Sequence, residues 1–225
     1  MTTVSREEYR KSLDALRADV ESMGRDVLGQ LRRALDALES DDREEAREVI
    51  DGDDRINRQY LDLEGDCIDL IALQQPVASD LRFVAASFKI LTDLERIGDL
   101  ATNLARYALA GSAAIVPEAR IQNIGDIARD QLRRAIDAYV DADSEACHVI
   151  AERDDELDVS CQNASDAVVR ELVAGESDRW DVEQLLDNVS RVLLTIRDLE
   201  RVGDHAVNIA ARTLYMNESD AELIY

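Results

Sequence analysis

Apolar residues recur at helical spacing along almost the whole chain. Leu13, Leu16, Val20, Met23, Val27, Leu31 and Leu35 form a near-heptad stripe, and Ser5 with Glu8 gives its start a capping box. A turn at "SDD" (Ser40–Asp42) leads to a second stripe of Ile56, Tyr60, Leu63, Cys67, Leu70 and Ile71. "QQPVASD" (Gln74–Asp80) breaks that helix, because Pro76 lacks an N–H and cannot continue a helix interior. Ile90, Leu94, Ile97, Ala101, Leu104 and Ala108 make the third stripe. Pro117 stands where a new helix could start, and Ile121, Ile124, Ala128, Leu132, Ala135 and Tyr139 line that helix. "AGESD" (Ala174–Asp178) separates the two remaining helical segments. Long helices joined by short loops pack as antiparallel neighbours, so the pattern predicts an all-α chain with no strand.

The stripes also repeat. "QLRRALDAL" (Gln30–Leu38) returns as "QLRRAIDAY" (Gln131–Tyr139), and "VIDGDDRIN" (Val49–Asn57) returns with one insertion as "VIAERDDELD" (Val149–Asp158). "DLERIGDLATNLA" (Asp93–Ala105) returns as "DLERVGDHAVNIA" (Asp198–Ala210), identical at nine of thirteen positions. Matches in the same order, offset by 100 to 105 residues, mean two copies of one unit joined near "AGSAAIVP" (Ala110–Pro117). Two copies make a pseudo-symmetric pair rather than a solenoid. The predicted architecture is two three-helix bundles from an internal duplication, residues 1–110 and 117–225.

Composition narrows the partners. A net charge of −23 argues against nucleic acid and against direct association with anionic lipid. The bases are nearly all Arg, the only lysines being Lys11 and Lys89, and an acidic chain this poor in Lys predicts adaptation to molar salt and a halophilic source. Cys67, Cys147 and Cys161 have no metal-type spacing and read as small buried hydrophobes in a reducing cytoplasm. No signal peptide opens the chain and no apolar run approaches the roughly 20 residues of a membrane span. A soluble, cytoplasmic protein with no membrane insertion is the expectation.

Candidate chemistry lies on the repeated third segment. Glu95, Asp99 and Asn103 share one helical stripe, as do Glu200, Asp204 and Asn208, each lying away from the apolar face. Asp53 with Asn57, and Asp154 with Asp158, occupy equivalent places on the second segments. An antiparallel pair would bring the two stripes of each copy into one oxygen-rich patch. Oxygen donors without thiolate suit Mg²⁺, Mn²⁺ or iron better than structural zinc. Among 49 acidic residues, however, such pairs also arise as ordinary solvated faces. Gly98 and Gly203 predict close approach of a neighbouring helix, Arg96 and Arg201 a solvated surface, and His148 a partly buried packing position. His205 stands where the first copy has Leu100. No GxSxG, Gly-rich phosphate loop or Cys–His pairing is present, so the chemistry on offer is coordination and recognition.

"IALQQPVASDLR" (Ile71–Arg82), "DLERIGDLATNLA" and "DLERVGDHAVNIA" together resemble the PhoU family of phosphate-uptake regulators, over essentially the whole chain. The resemblance implies two three-helix bundles related by pseudo-twofold symmetry. It also implies multinuclear metal sites at paired E(D)xxxD motifs, here Glu95/Asp99, Glu200/Asp204 and Asp154/Asp158. The first copy departs from the motif at Asp53/Asn57, where an amide replaces a carboxylate. The family usually shows His after "GD", matched by His205 and not by Leu100. The implied cofactors are Fe, Mn, Mg or Zn ions, and no enzymatic activity is implied. The implied role is negative regulation of phosphate uptake. It would work through contact with the ATPase subunit of a phosphate ABC transporter and with a phosphate-sensing histidine kinase, from a homodimer. The competing readings are a metal-free helical scaffold and a metal-dependent hydrolase.

Overall fold

The computed structural model describes residues 6–111, 120–174 and 182–224. These form α1 (Arg6–Ser40), α2 (Arg43–Gln74), α3 (Ala78–Ala110), α4 (Ile121–Asp141), α5 (Ser144–Ala174) and α6 (Val182–Glu218), with no strand among the described residues. The all-α reading holds. Ser5, Pro117 and most of "AGESD" lie outside the described residues. The break after α2 is shorter than the sequence suggests: only Gln75, Pro76 and Val77 interrupt the helix, and α3 resumes at Ala78. Gln75 takes the left-handed conformation at φ 49, which reverses the chain just before the proline.

The "SDD" turn is also a helix cap, and the duplication copies it. Asp42 Oδ1 accepts from the backbone N–H groups of Glu44 and Glu45 at 3.0 and 3.1 Å. Asp143 Oδ1 accepts from Ala146 N–H at 3.0 Å at the start of α5. Each satisfies an N–H that the first turn leaves unpaired.

The two bundles are not separate bodies. In addition to packing within each half, α3 runs along α6 and α1 along α4. The four helices α1, α3, α6 and α4 thus close a central ring, with α2 outside α1 and α3 and α5 outside α4 and α6. One apolar core passes through all six helices, from Leu16 and Val20 through Leu94 and Leu104 to Ile209 and Leu214.

The α1–α4 crossing depends on two glycines. A Cβ on Gly24 would stand 3.0, 3.1 and 3.3 Å from three side-chain carbons of Ile136, and a Cβ on Gly125 would stand 2.5 Å from Leu35 Cδ2. Gly24 and Gly125 are equivalent in the two copies, as are Leu35 and Ile136, so one contact is made twice with the roles exchanged. Helix ends are tied across the halves as well. Arg17 of α1 donates to the carbonyls of Tyr139 and Val140 at the end of α4, at 3.4 and 3.3 Å, and lies 5.0 Å over the Phe83 ring. Arg191 of α6 donates to Ala110 O at 2.8 Å and to Gly111 O at the end of α3. A guanidinium at a helix C-terminus meets both free carbonyls and the negative end of the dipole.

Four core expectations shift at the edges. Leu13, Tyr60 and Ile121 are half-buried against the core, while Ile71 is 40% exposed. Ile71 follows buried Leu70 by one 100° step, which turns it away from α1 and α3. His148 is exposed rather than partly buried, since it stands one step beyond buried Cys147 on the outer side of α5. Cys67, Cys147 and Cys161 are buried as expected, and burial pushes their thiols up to about 12, 11 and 12. A thiol reagent that needs the thiolate should leave native protein unlabelled at pH 7.5 and label all three only in denaturant. Stoichiometric labelling of the folded chain would contradict this burial. No helix among the described residues is long and apolar enough to cross a membrane.

Candidate metal centre

The DLER segments form the middle of α3 and of α6, which lie against each other, and their successive letters serve different tasks. The Leu, Ile or Val, and Gly positions face inward: Leu94, Ile97, Leu199 and Val202 are fully buried. The leading Asp of each segment clasps the two halves together, a role the sequence reading missed. Asp198 is wholly buried, accepts from Tyr107 Oη of α3 at 2.9 Å and from Arg197 Nη2 at 2.9 Å. Burial and this hydrogen bond push the Tyr107 hydroxyl up to about 12. Its counterpart Asp93 accepts from His205 Nδ1 of α6 at 2.9 Å and from Asn208 Nδ2 at 3.4 Å. Asn208 is therefore turned to the α3–α6 clasp. Asn103 instead accepts from Arg106 Nη1 at 2.9 Å.

The acids at the third and seventh positions meet the second helix of their own half, as the paired stripes required. In the second copy, the carboxylates of Asp154, Asp158, Glu200 and Asp204 repel one another. Glu200 is held above the ordinary carboxylate range by burial and then by Asp158, Asp204 and Asp154. Asp204 is raised by burial and by Asp158, against relief from His205 and Arg201. Asp154 is raised chiefly by burial, against the hydrogen bond from Gln131. The first copy gathers Asp53, Glu95 and Asp99. Glu95 is raised by burial, then Asp99, against Arg96, while Asp99 is raised by burial, then Asp53, also against Arg96. Arg96 lies 3.7 Å from Glu95 and 3.8 Å from Asp99, so this guanidinium partly neutralises the first cluster. Asn57 Nδ2 donates to Asp53 Oδ2 at 3.3 Å, taking up one oxygen of the acid it accompanies. As the side chains stand, no three His, Cys, Asp or Glu groups among the described residues are gathered closely enough to hold a metal ion. The two clusters are neighbours in electrostatics and not closed coordination shells. The sequence does carry one Glu-x-x-His spacing of the kind di-iron carboxylate bundles use, Glu145 to His148, but both residues are exposed near the start of α5.

Beneath each cluster lies a buried glutamine that the sequence reading also passed over. Gln131, 5% exposed, donates from Nε2 to Asp154 Oδ1 at 2.9 Å. Gln30, 8% exposed, donates to Thr102 Oγ1 at 3.2 Å, and Thr102 in turn donates to Asp53 Oδ1 at 2.9 Å. The signal was in the repeat "QLRRALDAL/QLRRAIDAY", which opens each time with a polar residue beside core leucines.

Gly98 and Gly203 adjoin these amides. A Cβ on Gly203 would lie 2.2 Å from Leu157 Cδ2, 3.2 Å from Asp154 Oδ1 and 3.3 Å from Gln131 Oε1. A Cβ on Gly98 would lie 3.3 Å from Ile56 Cγ2 and 3.5 Å from Gln30 Oε1. The close helix approach expected at both glycines is present. The donor set of carboxylates and amides fits a hard divalent cation.

Raised carboxylates set a sign for the pH dependence. A group that binds its proton more tightly when folded stabilises the chain below its unfolded pKa, and that contribution is lost as pH rises through the folded value. Glu95, Asp99, Asp154, Glu200 and Asp204 are of this kind. Ion-paired Glu45 and Asp130 are lowered and act in the opposite sense, losing their contribution as pH falls through their depressed values. In chelator, the melting temperature should therefore rise as pH is taken from 7 down into the ordinary carboxylate range near about 4. It should fall only below that. A monotonic fall from pH 7 downwards would remove the case for mutual repulsion.

The chain matches known proteins throughout. A family model described as PhoU domain matches twice, at residues 20–108 and 121–213. A phosphate-specific transport system accessory protein PhoU homologue of Pseudomonas putida is 32% identical, over 93% of this chain and 80% of that protein. One from Methanothermobacter thermautotrophicus is 33% identical, over 92% of this chain and 93% of its own length. The crystal structure of PhoU from Pseudomonas aeruginosa superposes with a TM-score of 0.86 at 29% identity, covering 94% of this chain and 100% of that one.

Proposed function

The chain belongs to the PhoU family, and from that premise we propose that it restrains phosphate uptake when phosphate is plentiful, as a metal-binding helical adaptor on the phosphate ABC transporter. It is a regulator and not an enzyme, in keeping with relatives named for an accessory role in transport. The observation that carries the reading is the match of both copies, with 92–93% of the chain aligned to accessory proteins of phosphate transport. Residues 1–110 and 117–225 are the two repeat units. The adaptor contacts the transporter's ATPase subunit and a phosphate-sensing histidine kinase, as a homodimer in the cytoplasm. The charge of −23 with two lysines suits a cytoplasm at molar salt, as in a halophilic archaeon.

Asp154, Asp158, Glu200 and Asp204 would hold one site, and Asp53, Asn57, Glu95 and Asp99 the other. The donor set favours Mg²⁺, Mn²⁺ or Fe over Zn. A bound cation neutralises the crowded carboxylates and ties α2 to α3 and α5 to α6. The second cluster has four carboxylates and, among the described residues, no ion pair to them within 4 Å, whereas the first has three and the Arg96 guanidinium. The second should load first in a Mn²⁺ titration, and Asn57→Asp should strengthen the first site. Equal affinities in the unaltered chain would contradict the assigned asymmetry.

The functional test is uptake of labelled phosphate after deletion of the gene. Uptake should stay high in phosphate-rich medium, where the intact strain represses it. Identical uptake in rich and starved medium with and without the gene would overturn the proposal.

A further inference from the structure

Gln30 and Gln131 present a problem that core packing does not solve. Each is more than nine-tenths buried, and each leaves its Oε1 without a hydrogen-bond partner. A buried amide oxygen without a partner loses its hydration and gains nothing in return, so a Leu or Met of similar volume would serve a pure packing role better. The same orphan nevertheless occurs at both equivalent positions, 101 residues apart. The amide orientation is not arbitrary. Turning Gln131 over would set its oxygen against the carboxylate oxygen of Asp154 that now accepts its N–H at 2.9 Å. With Nε2 fixed, Oε1 falls beside Gly203. It and Asp154 Oδ1 lie 3.3 and 3.2 Å from the point a Cβ there would occupy. Two oxygens therefore converge beside Gly203, where Leu157 Cδ2, 2.2 Å from the same point, fills the apolar side.

The first copy reaches the same result through one more link. Thr102 accepts from Gln30 and donates to Asp53 Oδ1 at 2.9 Å. Val207 holds the equivalent place in the second copy, where Gln131 needs no relay.

We propose that Gln131 and Gln30 are positioning residues of the two carboxylate clusters, Gln131 holding Asp154 directly and Gln30 holding Asp53 through Thr102, each fixing one carboxylate oxygen so that the cluster is set for a divalent cation. The inference rests on the metal-binding reading above. It adds the residues that orient the ligands, which carry no charge and lie on the first helix of each half instead of on the acidic stripes. Hydrogen bonds to a ligand from behind it fix its rotamer, and losing one costs about 10–100-fold in metal affinity.

The test is Mn²⁺ binding to the full chain, by isothermal titration and by the EPR signal of bound Mn²⁺, with melting in chelator measured alongside. Gln131→Met keeps the volume and removes the amide. Thr102→Val removes the relay and installs the residue the second copy already carries, so its fold is safe. Gln131→Met should weaken the second site by about 10–100-fold and leave the first unchanged, and Thr102→Val should weaken only the first. Melting in chelator should fall only slightly for either, by the buried hydrogen bonds that Gln131 makes to Asp154 and that Thr102 makes with Gln30 and Asp53, and by less than in Mn²⁺. Unaltered Mn²⁺ affinity in both variants would overturn the positioning role while leaving the metal sites standing. A purified wild-type chain that binds no Mn²⁺ at all would overturn the metal reading and this inference together. Equal losses of melting temperature with and without Mn²⁺ would make the glutamines structural and would also overturn it.

Discussion

Asp158→Asn combined with Asp204→Asn should stabilise the chelated chain at pH 7 and destabilise it in saturating Mn²⁺. The opposite signs follow from one source. In the second cluster four carboxylates repel one another with no ion pair to them among the described residues, and Glu200 and Asp204 are both raised by burial and by Asp158. Removing like charges removes repulsion, worth about 0.2–0.5 kcal/mol for each i,i+4 pair alone. Asn keeps the shape and leaves the helix unchanged. A bound cation turns the same charges into attraction: at a hundred times Kd it adds about 2.7 kcal/mol per site. The variant loses that gain at the second site. The measurement is a pair of urea melts at pH 7, one with chelator and one with Mn²⁺. Variant and wild type with the same midpoint in both would mean that the cluster is only a solvated face.

Gly125→Val should cost about 1–3 kcal/mol, whereas Gly65→Ala should gain up to about 1 kcal/mol. Both are helical glycines, and on propensity alone both substitutions would help or do little. Packing separates them. Nothing lies within 4 Å of the point a Cβ on Gly65 would take, but Leu35 Cδ2, Cδ1 and Cγ lie 2.5, 3.2 and 3.4 Å from it on Gly125. Leu35 is 1% exposed and cannot swing away without opening the α1–α4 crossing. Cutting the obstacle should reveal the coupling: Leu35→Ala with Gly125→Ala should cost less than the sum of the two singles by about 0.5–3 kcal/mol. Thermal or urea midpoints of the four proteins supply the cycle, and strict additivity would remove the crossing as the cause.

The helices and their duplicated order were legible because an apolar stripe every three to four residues is a local signal. Ile90, Leu94, Ile97 and Leu104 needed no partner to be placed. Partnership between helices was less legible. That Asp93 and Asp198 clasp α3 to α6 depends on which helix faces which, and nothing within "DLER" distinguishes its first acid from its second. The acidic stripes were found by spacing, but Asn103 and Asn208 of those stripes turn to Arg106 and Asp93, and the spacing gave no hint of the buried amides beneath them. Gln30 and Gln131 read as polar interruptions of a stripe until Asp53 and Asp154 are brought over them. His148 was misplaced for a related reason: apolar neighbours in sequence are not neighbours on a helix surface, where 100° separates one residue from the next.

The exchanged contact at the α1–α4 crossing, Gly24 on Ile136 and Gly125 on Leu35, has the form of an isologous interface. Such an interface between free three-helix units would be a mass-action equilibrium, weakening each time the protein is diluted. Covalent continuity between Gly111 and Arg120 replaces that equilibrium with an intramolecular one, at an effective concentration on the order of millimolar. Arg17 and Arg191, each capping a helix of the other half, then hold at any expression level. The folded state of this chain is thereby uncoupled from its abundance, so a regulator present in few copies keeps its two clusters on one rigid frame.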